Sequence, residues 1–271
     1  MRLTPSQKLQ LTAFARRSNV PTNHLKLAPE HRPDVSSGDK LPRLRFVVMH
    51  ASSPTSAAVN SAVVRSLVVE AVEAAAGLIA GESVGAAWDK PSALTGMTVG
   101  GLAAHLVRAA GATLAYLDRT PAETEPVGDL LTPVTYFRAA VTAPIHEQVI
   151  QVSAGEAEIG HDATATKCAE LAERLSRRLA DEPDDRLVGA LGGRMLSLDD
   201  FCRTRLIEVL VHLDDLAVSV GEPRPKTNPL GVSIVIDIVG NIARQVHGDW
   251  KVVYALARSE RLGGEQVFPV F

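Results

Sequence analysis

Within the segment Leu198 to Val220, Arg205, Glu208, His212 and Asp215 recur at spacings of three, four and three among Leu, Ile, Val and Ala. In a helix of 3.6 residues per turn, those four side chains share one stripe. Around them, Leu206, Ile207, Val209, Leu210, Val211, Leu213 and Leu216 leave little room for a solvent-facing side. The polar stripe therefore points into a bundle or a cleft, where an unpaired carboxylate is costly and needs a partner. Composition agrees with packed helices: aromatic residues make up 4% of a chain that is 46% hydrophobic, which suits a bundle better than a sandwich or barrel. The expected fold class is all-α.

Residues 1–48 differ from the rest. They hold nine Lys/Arg against three Asp/Glu, without sustained periodicity, and read as a disordered basic tail, with Met49 as an alternative translation start. Residues 49–225 are expected to form a metal-binding helical bundle, and 226–271 a helical extension packed on it. Long helices are expected over 54–81, 99–118, 163–179 and 198–220. Further ones fall over 130–152, broken at Pro144, and over 228–247 and 249–259. Thr98 and Ser197 are placed to cap two of them, and Leu187–Leu196 reads as a short hairpin turning at Gly192-Gly193.

A net charge of −3 over 271 residues provides no field for nucleic acid or an anionic membrane. No run reaches the roughly 18 apolar residues of a membrane span. Cys168 and Cys202 lack CxxC spacing and are too few for a disulfide framework, so a reduced, cytoplasmic protein is expected. Cys202, near the stripe, reads first as a small buried hydrophobe. The expected partners are small molecules, with the chain a monomer or homodimer.

Glu208 and His212 stand at i, i+4, a spacing that lets a carboxylate oxygen and an imidazole nitrogen converge on one ion. A catalytic zinc site commonly takes three protein ligands, and His105 is the best third. It lies among Leu102, Ala103, Ala104, Leu106 and Val107, with Gly100 and Gly101 allowing close helix approach. Arg205 and Asp215 are placed to neutralise or orient these ligands, or to pair with each other. His146 and His161 are expected on the surface, and Trp88 over the pocket rim or, in preference, as a plug at the bundle end. The competing reading is a hydrogen-bonded polar network without metal.

Trp88-x-x-Pro91-Ser92, then Gly96-Met-Thr-Val-Gly-Gly-Leu-Ala-Ala-His105-Leu106, and later Arg205-x-x-Glu208-Val-Leu-Val-His212-x-x-Asp215-Leu216 resemble the N-terminal domain of mycothiol-dependent maleylpyruvate isomerases. That domain is one of the DinB-like four-helix bundles. The resemblance covers roughly residues 57 to 221. It implies a divalent metal, usually zinc, on His105, Glu208 and His212, and mycothiol or another low-molecular-weight thiol as cosubstrate, activated as a metal-bound thiolate. The implied reaction is a transferase or isomerase step on an electrophilic small molecule; the alternative is a non-catalytic metal-binding sensor or interaction module. At position 97 this chain carries Met where family members commonly have Trp, and beyond residue 225 the family's C-terminal domain is not recognisable.

Overall fold

The computed structural model describes residues 59–141, 146–190 and 193–270. The basic tail and Pro144 lie outside the described residues. The elements are α1 (Ser61–Ile79), α2 (Glu82–Ala86), α3 (Val99–Arg119), α4 (Pro133–Val141), α5 (His146–Ala157), α6 (His161–Ala180), β1 (Leu187–Gly189), β2 (Met195–Ser197), α7 (Leu198–Val220), α8 (Pro229–His247) and α9 (Asp249–Ala257). Among the described residues the fold is all-α apart from the antiparallel β1–β2 hairpin, paired Leu187 to Ser197 and Gly189 to Met195.

The four long helices α1, α3, α6 and α7 close a ring in which α1 and α3 each pack on both α6 and α7. Each contributes an apolar stripe. On α1 the buried positions are Val64, Leu67, Val68, Ala71, Val72, Ala75 and Ile79, stepping by three and four as one helical face requires. On α7 burial takes most of the circumference, from Leu198 and Phe201 to Leu216 and Ala217. Helix α8 adds Ile234, Ile238 and Ile242 to the same core, packing on α4 and α7, with α9 against α8. By length and composition α8 could cross a membrane; here Ile234, Ile238 and Ile242 lie in the core, while Ile236 and Val246 are exposed.

Sequence-local chemistry sets the helix ends. Thr98 Oγ1 accepts from Gly101 N at 3.0 Å and Ser197 Oγ from Asp200 N at 3.0 Å, satisfying donors that a first turn leaves open. Gly221 ends α7 in the left-handed region at φ 72°, where a Cβ is strained. Two buried arginines do the same for C-termini from a distance. Arg65 of α1 donates to the carbonyls of Leu179 in the last turn of α6 and of Pro183 beyond it, and pairs with Asp199 of α7 at 2.9 Å. Arg186 donates to Leu117 O at the end of α3 and pairs with Glu182 at 3.0 Å.

Candidate metal centre

His105 comes from the middle of α3, Glu208 and His212 from successive turns of α7. The two helices pack on each other, and Gly100 lets the Trp88 loop press onto α3: a Cβ there would lie 2.5 Å from the Trp88 ring. Trp88 is half-buried against the core. The loop is fastened to α7 by Ala93 N donating to Ser219 Oγ at 2.8 Å.

The three side chains converge. One ligand atom from each of His105, Glu208 and His212 lies within 4.8 Å of the other two. Glu208 Oε2 stands 3.9 Å from His105 Nε2 and 3.5 Å from His212 Nε2, and the imidazole centroids are 4.7 Å apart at 72°. Zinc bonds of about 2.1 Å at a tetrahedral angle separate ligand atoms by about 3.4 Å, so small side-chain adjustments would let the three donors share one ion. An imidazole, imidazole, carboxylate set is also one that divalent transition metals favour. The donors fit such an ion.

Electrostatics sharpen the geometry. Burial lowers the His105 pKa, and the charge of His212 adds to it, bringing it to about 4 against the pull of Glu208; the ring is neutral near pH 7. Burial also works against the His212 imidazolium, but the hydrogen bonds to Asp215 and Glu208 outweigh it and raise the pKa to about 9. Burial resists ionisation of Glu208 as well, yet the His212 hydrogen bond and the Arg205 charge bring its carboxyl down to about 2. His212 Nδ1 donates to Asp215 Oδ2 at 3.0 Å, an arrangement that fixes the ring of a ligating histidine.

Asp215 thus partners His212, not Arg205. The Arg205–Asp215 pairing considered from spacing does not occur, because Arg205 turns the other way. It is stacked over Phe201 with 4.8 Å to the ring centroid, and it donates to Ala109 O and Tyr136 Oη, each at 3.3 Å. Its neutral partners leave its charge to act on Glu208. His161 is also displaced from its expected surface position: its side chain is 21% exposed, with Nε2 2.7 Å from Ile79 O and an edge contact to Trp88. Cys168 and Cys202 are both buried free thiols, with burial pushing each pKa up to about 12, and neither belongs to the site.

The site opens on a cavity of about 680 Å³. His105, Glu208, Arg108 and Arg205 line one part; Tyr136, Glu156, Lys167 and Arg174 line others. Spacing alone overlooked Arg108, which donates to His105 Nδ1 at 2.9 Å, to Ser153 Oγ at 3.0 Å and to Glu156 Oε2 at 3.0 Å. Arg108 was reachable as the i+3 neighbour of His105 on one helix face. Ser153 and Glu156, on α5, were not, since only packing of α5 on α3 brings them there.

Comparison with known proteins adds one finding. No curated protein and no solved structure matches the chain. The family model for the mycothiol maleylpyruvate isomerase N-terminal domain matches residues 68–217, a span that contains His105, Glu208, His212 and the cavity-lining α5 and α6. By that match over more than half its length, the chain belongs to the mycothiol maleylpyruvate isomerase N-terminal domain family.

Proposed function

We propose that this protein binds a divalent metal, zinc foremost, through His105, Glu208 and His212, and uses it with a low-molecular-weight thiol, mycothiol in the first instance, to transfer the thiol to an electrophilic small molecule or to isomerise it. The observation that supports the reading most directly is the convergence of three donors from two helices beside an open cavity. A metal that served folding alone would need no such access.

When bound, a divalent ion lowers the pKa of a thiol sharing its coordination shell and so supplies thiolate at neutral pH. The chain's own residues do the rest. Asp215 holds the His212 ring in orientation through Nδ1, leaving Nε2 turned toward Glu208. Arg205, buried at 5% exposure, balances the charge of Glu208 without touching it. With His212 protonated, the charges of Arg205, Glu208, His212 and Asp215 cancel; a divalent ion in place of that proton leaves one positive charge in excess, which favours an anionic ligand such as a thiolate. The cavity beside the donors, with Tyr136, Arg108 and Arg205 in its lining, offers room for the electrophile.

The test is metal content by elemental analysis, on protein purified without chelator or nickel resin. About one divalent ion per chain is expected in the wild type, and none in His105→Ala or His212→Ala. Retention of stoichiometric metal by both variants refutes the assignment. Metal-loaded protein should then convert an electrophile only when thiol is supplied, with loss of free thiol in a transfer and with the thiol returned unchanged in an isomerisation.

A further inference from the structure

Arg108 stands against the ligand set in an unusual way. A guanidinium has donors and no acceptor, so at 2.9 Å it makes His105 Nδ1 the accepting nitrogen. The neutral ring then carries its single proton on Nε2. Nε2 is also the nitrogen turned toward Glu208 Oε2, 3.9 Å away, and a bound ion would need its lone pair. Ligation through Nε2 moves the ring proton to Nδ1, where it would face an Arg108 N–H donor to donor.

We propose that Arg108 is a positioning residue that latches His105 in the tautomer unable to ligate, so that metal occupancy and the Arg108–His105 hydrogen bond exclude each other. This rests on the metal reading above. The latch is built into the fold. Arg108 Nε is held by Glu156 Oε2 at 3.0 Å and NH2 by Ser153 Oγ at 3.0 Å, while Ser153 Oγ itself donates to Val149 O at 2.7 Å. Helix α5 therefore holds the guanidinium of Arg108 against its α3 neighbour His105. His212 has the opposite arrangement, with a carboxylate on Nδ1, which leaves Nε2 to ligate once its proton is lost. Loading the site requires Arg108 to give up Nδ1; Glu156 and Ser153 remain as its anchors, and the freed donor faces the cavity that Arg108 lines.

Removing the latch should tighten metal binding. Zinc affinity, measured by competition with a chromophoric chelator, is expected to rise about tenfold in Arg108→Met, the order of one charge-assisted hydrogen bond. Loss of a positive charge near the site would push the same way, so the deciding readout is the imidazole ¹⁵N spectrum of His105. Metal-free wild type should show the Nε2–H tautomer, zinc-loaded protein the Nδ1–H tautomer, and metal-free Arg108→Met a larger Nδ1–H fraction than metal-free wild type. An Nδ1–H tautomer in the metal-free wild type overturns the latch, as does unchanged or weaker zinc binding in Arg108→Met. Zinc bound by neither protein overturns the metal reading itself and the latch with it. Should Arg108→Met not fold, the two wild-type spectra decide alone.

Discussion

The two imidazoles of the site are held by opposite partners, His212 Nδ1 by the Asp215 carboxylate at 3.0 Å and His105 Nδ1 by the Arg108 guanidinium at 2.9 Å. Partners that donate to or accept from a ligating histidine commonly shift metal affinity by about ten- to a hundredfold. Asp215→Asn is therefore expected to weaken zinc binding by that factor in a chelator competition, with little change in melting temperature. An unchanged affinity would remove Asp215 from the site. The raised His212 pKa, about 9, carries a pH dependence. Below that pH the metal-free ring is protonated, and ligation must expel the proton. His105, at about 4, is already neutral near pH 7. Binding should release close to one proton, and affinity should rise about tenfold per pH unit until pH nears 9. Calorimetry at one pH in two buffers of different ionisation enthalpy reads that proton directly.

At the scale of the element, α3 and α7 carry the ligands on faces set by helical period, and their N-caps, Thr98 and Ser197, sit where the sequence places them. The approach of the Trp88 loop to α3 depends on the missing side chain at Gly100, where a Cβ would meet the indole at 2.5 Å. Gly100→Ala is expected to lower stability by about 1–3 kcal/mol, the usual range for overpacking a filled site, seen as an earlier thermal transition with altered Trp fluorescence. Wild-type stability in that variant would mean that the loop yields freely. Other element boundaries were legible unevenly: α7 runs over 198–220 as expected, whereas α5 extends to Ala157, past the expected 152. Helix α1 begins at Ser61, not near Pro54, because Asn60 caps it by accepting from Val63 N at 2.9 Å. Helix α6 begins at His161, earlier than 163, where Gly160 turns the chain at φ 87°.

Across the whole molecule, the ring of long helices is tied at one end by charges that the hydrophobic pattern does not announce. Arg186 is 5% exposed, bonds Glu182 and reaches the carbonyl of Leu117 at the end of α3, so it joins the α3 terminus to the turn after α6. Arg186→Met would strip a buried carboxylate of a partner and leave carbonyls unsatisfied. A loss of at least about 3 kcal/mol is expected, measured by urea unfolding. A loss below 1 kcal/mol would show that water replaces the guanidinium there. Because this network lies among Glu182, Pro121 and Thr120, its disruption should reduce stability before it alters metal content.

The sequence by itself determined the all-α class, the long helices, the hairpin and the polar stripe, since each depends on short-range period, capping or turn chemistry between residues close in the chain. It also nominated His105, Glu208 and His212, because polar groups in apolar helices must find partners. Only the tertiary structure decided which partners those are. Whether Asp215 meets Arg205 or His212 depends on rotamers on one helix, and whether Arg108 reaches His105 with Glu156 behind it depends on how α5, 48 residues away in sequence for the Arg108–Glu156 pair, packs on α3. Helical periodicity assigns a side chain to a face; the atom that faces it comes from another segment, through packing that no local pattern encodes.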